Sequence, residues 1–133
     1  MKNIFDIIKF DEKGLVCVIT QDFESDEILM SAFANKKAVE MTLKTKFAHY
    51  FSRSRQKLWK KGEISGQTQE IKEILIDCDG DSLLLKVKQN GKPEAVSCHT
   101  GRRSCFFRNV NEDGSLIINQ EVLVTSEELY DKN

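Results

Sequence analysis

The sequence lacks an excess of charge of either sign. Its 133 residues include 20 lysines and arginines against 21 aspartates and glutamates, which gives a formal net charge of -1. A nearly neutral chain is not suited to coating nucleic acid or an anionic membrane, because both surfaces attract polycations. We therefore expect no nucleic-acid partner and no membrane partner, and any recognition of phosphate must come from a local group of cations.

Long apolar runs are also missing. The N-terminal segment, MKNIFDIIK, meets a charge every few residues, whereas a signal peptide needs an apolar core and a membrane span needs about 20 apolar residues. We expect a cytoplasmic protein on this basis. The single proline and 7 glycines exclude collagen-like sequence. At this length, residues 1–133 are predicted to form a single domain.

Strand patterns outnumber helical ones. Strands are predicted over residues 15–20, 47–52, 70–76, 82–89, 104–109 and 116–118. Asn35 predicts the start of a helix that ends near residues 44–46, and Thr125 with Glu128 predicts a capping box for a short closing helix. These elements predict an α+β fold that is mostly β, in a small strand-rich domain.

The sequence has 4 cysteines but no C-x-x-C pair. In the reducing cytoplasm we expect thiols or thiolates and no disulfides. Structural zinc sites usually carry four Cys or His ligands in such short spacings, so this pattern argues against one.

Cys17, between Val16 and Val18, is interpreted as a small core residue, and His49 in its Phe- and Tyr-rich strand is interpreted likewise.

Cys98 and Cys105 stand among Ser, His, Thr, Gly and Arg, where a buried hydrophobe has little to pack against. Together with Cys78 they offer three thiolate ligands, which would leave a fourth position on zinc for water. Zinc lowers the pKa of such a water to about 7 and so supplies hydroxide at neutral pH. His99, next to Cys98, is then the candidate acid–base group.

Three carboxylates lie close together in the segment DCDGD, residues 77–81. Asp77, Asp79 and Asp81 offer hard oxygen ligands, which suit Mg²⁺ or Ca²⁺. If the segment is extended, these side chains share one face and Cys78 points to the other. That arrangement predicts two separate metal sites, one for a hard cation and one for zinc.

An EF-hand does not fit this segment. Counted from Asp77, the sixth and twelfth positions are Ser82 and Lys88, where that loop needs glycine and glutamate. A solvated acidic turn that closes a hairpin is the alternative to a metal site, because Asp and Gly favour turns.

Residues 44–62 contain 7 lysines and arginines and no acidic residue. Arg53 and Arg55 would share one face of an extended segment and could each bind phosphate through two hydrogen bonds. Trp59 is either a stacking surface for a base or a core residue. A solvated basic edge strand that discourages aggregation is the alternative for the whole stretch.

Two other classes of protein compete with an enzyme. A zinc-stabilised module that binds single-stranded RNA would explain the basic stretch, but the three aspartates would then repel the phosphates. A purely structural zinc protein would need four protein ligands and no open position.

Together these segments resemble phosphoribosyl-AMP cyclohydrolase, an enzyme family of histidine biosynthesis that opens the purine ring. The resemblance covers about residues 23–108. The strings that carry it are SRSR, LWKKGE, SG, DCDGD, CHTG and SCF, which begin at residues 52, 58, 65, 77, 98 and 104. The sequence departs from similar enzymes at Gln67, where they commonly have His, and at Arg102, which is often a different residue.

The resemblance implies hydrolysis of the N1–C6 bond in a small nucleotide substrate, 1-(5-phosphoribosyl)-AMP. It implies an intertwined homodimer in which Cys78 of one subunit holds zinc with Cys98 and Cys105 of the other, while the three aspartates hold magnesium. Zn²⁺ and Mg²⁺ are the implied cofactors, and His99 is given the proton transfers. The predicted substrate-binding residues are Arg53, Arg55, Trp59, Lys61, Ser65, Gln69, Arg102 and Arg103.

Overall fold

A computed structural model describes residues 2–130; Met1 and residues 131–133, which the predicted domain 1–133 includes, lie outside the described residues. The elements are α1 (Ile4–Ile7), β1 (Val16–Asp22), β2 (Ile28–Ala34), α2 (Lys36–Thr45), β3 (His49–Ser52), β4 (Lys57–Lys60), β5 (Gln69–Ile76), β6 (Ser82–Gln89), β7 (Arg108–Val110), β8 (Leu116–Ile118) and α3 (Ser126–Tyr130). The predicted α+β class, mostly β, is confirmed. Among residues 2–130, no helix is both long and apolar enough to cross a bilayer.

A four-stranded sheet in the order β2-β1-β6-β5 forms the centre of the fold. β1 pairs with β2 antiparallel and with β6 parallel, and β5 pairs with β6 antiparallel. Alternation along β1 and β6 turns Val16, Val18, Leu83 and Leu85 into the core. Two separate hairpins, β3-β4 and β7-β8, complete the strand pairing.

Most predicted elements are present with shifted ends, but the strand expected over 104–109 is wrong for most of its length. β7 begins only at Arg108, because Ser104 Oγ and the Cys105 N–H donate hydrogen bonds to the carbonyls of β2 instead. The sequence patterns also miss α1, β2 and β4. Two of these have four residues, and β2 is rich in Leu, Met and Ala, which favour helices.

The predicted caps are present at both later helices. Asn35 Oδ1 accepts a hydrogen bond from the Ala38 N–H at 2.9 Å, and α2 ends at Lys46 in the left-handed region. At α3, the Thr125 N–H donates to Glu128 Oε1 at 2.9 Å and the Glu128 N–H donates to Thr125 Oγ1 at 3.2 Å. These local signals fix both helices from the sequence alone.

The two residues interpreted as core residues lie in β1 and β3. His49 is buried, with its Nδ1 2.9 Å from the carbonyl oxygen of Phe47, so that interpretation is confirmed. Cys17 is half-buried, and its Sγ lies 4.0 Å from Ser31 Oγ.

A chain of buried hydrogen bonds runs from β1 through the sheet to the segment after β6. Thr20 Oγ1 lies 2.7 Å from Tyr50 Oη, which donates to Gln69 Oε1 at 2.6 Å. Gln69 Nε2 donates to Gln89 Oε1 at 2.9 Å, and Gln89 Nε2 donates to the Val96 carbonyl at 3.1 Å. All five residues are buried. Because buried polar groups are costly when unpaired, the chain fixes Val96 relative to the sheet.

Gln67 also holds the loop after β6, through hydrogen bonds that are separate from this chain. Its Oε1 accepts a hydrogen bond from the Val96 N–H at 2.9 Å, and its Nε2 donates to the carbonyls of Lys92 and Glu94 at 3.3 and 3.0 Å. A Cβ added at Gly91 would lie 1.8 Å from Gln67 Oε1, so glycine allows the loop to approach this amide. The whole amide is therefore used to hold the backbone of the loop.

We expect Gln67→Glu to lower the free energy of unfolding by about 3 kcal/mol at pH 7, because two backbone carbonyls lose their donor and a carboxylate is buried. Urea denaturation followed by circular dichroism measures this change. Gln56→Glu is the matched control: it also removes an amide donor from a backbone carbonyl, that of Arg53, but Gln56 is exposed in the β3-β4 turn, so the loss should stay below about 1 kcal/mol. An equally small loss for Gln67→Glu would contradict the role given to this amide.

Candidate active site

A cavity of about 700 Å³ opens beside the β3-β4 hairpin. Its cationic wall consists of Arg53, Arg55, Lys57, Lys60 and Lys61. Glu63 also lines it, and Phe33, Phe51 and Trp59 supply aromatic rings. A concave surface that combines several cations with aromatic rings suits an anionic ligand that also carries a flat ring.

Several predicted site residues meet at this cavity. Those that line it are Arg53, Arg55, Trp59, Lys61, Ser65 and His99. Ser65 is buried, and its Oγ accepts a hydrogen bond from the Gln67 N–H at 3.2 Å. The lining residues come from the β3-β4 hairpin, the segment after β4 and a turn much later in the chain, so the fold is needed to assemble them.

The two arginines lie in a turn and not in an extended segment. Residues 53–56 join β3 to β4, with Gln56 at a φ of 53° and its Nε2 donating to the Arg53 carbonyl at 2.7 Å. The expectation that Arg53 and Arg55 share one strand face is therefore wrong. The hairpin still brings both to the cavity, where the Arg53 guanidinium lies 4.1 Å from the centre of the Phe33 ring.

Trp59 lies between the core and the cavity. Its ring centre is 5.3 Å from that of Tyr50, a fully buried residue, and Trp59 also lines the cavity. The core and the ligand-facing interpretations of this residue are thus compatible, because one ring contributes to both surfaces.

The loop that carries Cys98 and Cys105 is fastened to β2 through one carbonyl group. The Leu29 carbonyl accepts hydrogen bonds from Ser97 Oγ at 2.8 Å and from the Cys105 N–H at 2.7 Å. Across the loop, the Ser97 N–H donates to the Arg103 carbonyl at 3.0 Å. The narrow loop therefore folds back on itself and places the two thiols near each other.

Lys61 lies beside this thiol pair. The pKa of Cys105 is raised to about 11. Burial is the largest cause, and the charge of the neighbouring Cys98 and a hydrogen bond with it act in the same direction. Burial lowers the pKa of Lys61, while the two thiols act in the opposite direction, and Lys61 Nζ donates to the Ser97 carbonyl. Adjacent thiols release their protons when a divalent cation supplies compensating charge, so this pair suits a soft metal.

His99 is exposed at a turn over residues 98–101 and faces the cavity. The Gly101 N–H donates to the Cys98 carbonyl at 2.9 Å and closes the turn. Gly101 has a φ of 87°, and a Cβ there would lie 1.8 Å from the Val124 carbonyl oxygen, so this turn requires glycine. An imidazole thus stands at the cavity one residue from the thiol pair.

The three aspartates lie in a turn that joins the antiparallel strands β5 and β6, which is the acidic hairpin turn kept as the alternative, so the alternation expected for an extended segment does not apply. Gly80, at a φ of 74°, helps reverse the chain, and Asp77 Oδ1 accepts a hydrogen bond from the Asp81 N–H at 3.0 Å. The turn still gathers oxygens of Asp77, Asp79 and Asp81 within 4.8 Å of one another. The hydrogen bond and charge of Asp77 raise the pKa of Asp81, and a cation would relieve that repulsion.

Cys78 is exposed in the same turn. Among residues 2–130, these aspartates form the only group of three or more His, Cys, Asp or Glu side chains whose ligand atoms lie that close together. Within one chain, Cys78 therefore does not join Cys98 and Cys105 to make a three-sulfur site.

Three predicted substrate-binding residues have partners elsewhere and do not line the cavity. Gln69 belongs to the buried hydrogen-bond chain. Arg103 donates to the Asp22 carboxylate at 2.9 Å, and Arg102 Nε donates to the Gln120 carbonyl at 3.0 Å. Their positions point to structural roles in this fold.

The sequence does not single out Lys57, Lys60 or Tyr130, although all three line the cavity. The lysines belong to the basic stretch but have no individual signal, since only the β3-β4 pairing shows which side chains reach the cavity. Tyr130 is remote in sequence from the hairpin, so the folded chain alone connects it to this site.

Comparison with known proteins gives one consistent result. Residues 30–107 match the profile of a family described as phosphoribosyl-AMP cyclohydrolase. Proteins of that name from Chlorobium phaeovibrioides and Neisseria gonorrhoeae are 52% and 49% identical to this chain, over 98% and 97% of it and 93% and 95% of their own lengths. A third, from Prosthecochloris aestuarii, is 50% identical over 98% of the chain and 93% of its own length. The chain belongs to the phosphoribosyl-AMP cyclohydrolase family.

Proposed function

We propose that this protein opens the adenine ring of 1-(5-phosphoribosyl)-AMP in histidine biosynthesis. Water adds its oxygen to C6, the C6–N1 bond breaks and N1 takes up a proton, which leaves a phosphoribosyl-formimino imidazole carboxamide ribotide. The observation that carries the proposal is the cation-lined cavity in which His99 stands one residue from a pair of neighbouring thiols. Similarity to cyclohydrolases over nearly the whole chain supports the same reaction.

The cavity wall matches the charges of this substrate. Two phosphates need several cations, and Arg53, Arg55 and the neighbouring lysines provide them. Arginine binds a phosphate through a planar fork, whereas lysine acts as a point charge. Trp59 offers an aromatic ring on which the purine stacks.

Zinc fits the neighbouring thiols of Cys98 and Cys105, because thiolates are the soft ligands that zinc prefers. When bound, zinc supplies Lewis acidity that lowers the pKa of water to about 7. The chain's own part is to hold this pair through the Leu29 carbonyl and to move protons at the cavity. His99 takes a proton from the attacking water and returns one to N1 as the ring opens.

A second copy of the chain completes this zinc site by supplying Cys78, in an intertwined homodimer of single-domain subunits. The separation of the exposed Cys78 from the thiol pair supports a site shared between chains. The β7-β8 hairpin supports it too, because Val110 and Leu116 expose 70% and 59% of their surface. Two-stranded hairpins are marginally stable alone, and exposed apolar patches of this kind mark interfaces. The free thiols suit the reducing cytoplasm.

Magnesium fits the turn between β5 and β6, where three exposed carboxylates converge. Hard oxygen ligands that leave room for water and phosphate oxygens are what Mg²⁺ prefers. Asp77, Asp79 and Asp81 would hold the ion, which when bound supplies positive charge for a substrate phosphate.

Cys98→Ser and Cys105→Ser are expected to lose bound zinc and ring-opening activity, because serine is a poor zinc ligand. Ultraviolet absorbance with phosphoribosyl-AMP as substrate measures activity, and atomic absorption measures zinc. Cys17→Ser is the control, since Cys17 lies in β1 and does not line the cavity, and it should retain both. Absence of turnover in the zinc-replete wild-type protein would refute the proposed reaction; full activity in zinc-free Cys98→Ser would refute the metal's role.

A mixture of inactive Cys78→Ser and Cys98→Ser proteins is expected to regain about a quarter of wild-type activity after unfolding and refolding together. In a symmetric dimer with shared sites, half of the randomly formed dimers are mixed, and one of the two sites in each mixed dimer is intact. Activity is compared with that of each variant refolded alone. Differently tagged chains report whether mixed dimers have formed. If they have formed but no activity returns, the zinc ligands do not come from both subunits.

Asp79→Asn is expected to weaken the magnesium dependence of turnover and to raise KM, with little change in melting temperature, because Asp79 is exposed and loses one ligand charge. Turnover measured across a magnesium titration checks this. Asp26→Asn, an exposed aspartate in the turn between β1 and β2, serves as control. If Asp79→Asn shows the same dependence on magnesium as the wild-type protein, Asp79 is not a magnesium ligand.

A further inference from the structure

The last helix of the described chain is fixed onto the segment that leads to the thiol pair. Leu129 of α3 is buried and packs with Val96 and Val124 in a small apolar cluster. Val96 is the residue held by the buried hydrogen-bond chain and by Gln67. The position of α3 is therefore linked to the same backbone that carries Cys98.

The segment between β8 and α3 lies directly on the turn that carries His99. The Leu123 and Val124 N–H groups both donate to the Gly101 carbonyl, at 2.9 and 3.2 Å. Gly101 leaves no room for a side chain there, because a Cβ would lie 1.8 Å from the Val124 carbonyl oxygen. The segment and the turn thus hold each other in place, on the side of the cavity formed by His99.

Tyr130 reaches the cavity as a consequence of this docking. It lines the same cavity as Trp59 and His99, and its side chain is half exposed, so it is accessible to a ligand. It lies outside the segment of residues 30–107 that matches the family profile. Burial, and to a lesser extent the nearby Cys98 thiol, raise the pKa of Tyr130, which agrees with a position near Cys98 at the cavity wall.

We propose that Tyr130 is a substrate-contacting residue whose aromatic ring packs against the purine base on the His99 side of the cavity. This inference rests on the proposed function. Together with Trp59, the ring gives the base a second aromatic surface, and it orients C6 and N1 toward His99. The contact is made by the ring and not by the hydroxyl group, so phenylalanine should substitute for tyrosine.

The experiment uses the emission of Trp59, the single tryptophan of the chain, to follow binding of AMP to the cavity. We expect Tyr130→Ala to raise the Kd for AMP about tenfold and Tyr130→Phe to change it less than about twofold, as expected for loss and retention of one base–aromatic contact. KM for phosphoribosyl-AMP should follow Kd, while melting temperature and zinc content stay at the wild-type level. Phe23→Ala is the control, since Phe23 is an exposed aromatic residue that does not line the cavity.

Several outcomes would overturn the inference. If Tyr130→Ala binds AMP with wild-type affinity, Tyr130 does not contact the base. If Tyr130→Phe and Tyr130→Ala raise the Kd for AMP equally, the contact is made by the hydroxyl group and not by the ring. Loss of zinc in Tyr130→Ala would make the residue structural. If the wild-type protein binds AMP in this way but does not hydrolyse phosphoribosyl-AMP, the proposed function fails while the contact of Tyr130 with the base stands.

Discussion

The buried hydrogen-bond chain from Thr20 to Val96 is the constraint on which the site depends. Its side chains cross from β1 through β3, β5 and β6, and each polar atom has its partner inside the protein. Hydrogen bonds are directional, so such a chain fixes distances more narrowly than apolar packing does. The backbone of Val96 is held at both its N–H and its carbonyl, and Cys98 follows two residues later. The core thereby determines where the first thiol stands.

The second thiol is placed by a different device, the shared Leu29 carbonyl of β2. β2 is an edge strand, so the backbone groups on its outer side are not used in pairing with a further strand of the sheet. They are therefore available to hold the loop. Lys61 then connects this loop to the cavity, because it lines the cavity while its Nζ donates to the Ser97 carbonyl. The cavity and the thiol pair proposed to hold zinc are in this way built on one continuous set of contacts.

The sequence predicts the elements whose signals are local. The cap at Asn35 and the strand-forming residues of β1 and β6 depend on neighbouring residues only, and the helix and both strands appear at the predicted places. Local patterns left open whether residues 77–81 are extended or form a turn, because the turn depends on Gly80, whose missing Cβ leaves room for the Ile7 carbonyl oxygen, 2.4 Å from where a Cβ would lie. Contacts of that kind join distant segments and leave no local pattern. The residue types predicted a cluster of carboxylates, but they did not predict its backbone geometry: the three aspartates converge although they lie in a turn.

The buried Gln67 side chain contributes to the site by holding backbone. Its amide is fully used in holding the loop after β6, through hydrogen bonds with the backbone of Lys92, Glu94 and Val96. It therefore acts on the reaction only through the position of Val96 and of the thiol beyond it. The second histidine of the chain, His49, is buried beside the Phe47 carbonyl. Under the proposed function, proton transfer is assigned to His99, which lines the cavity and whose turn is secured by Gly101 and by the segment that ends in Tyr130.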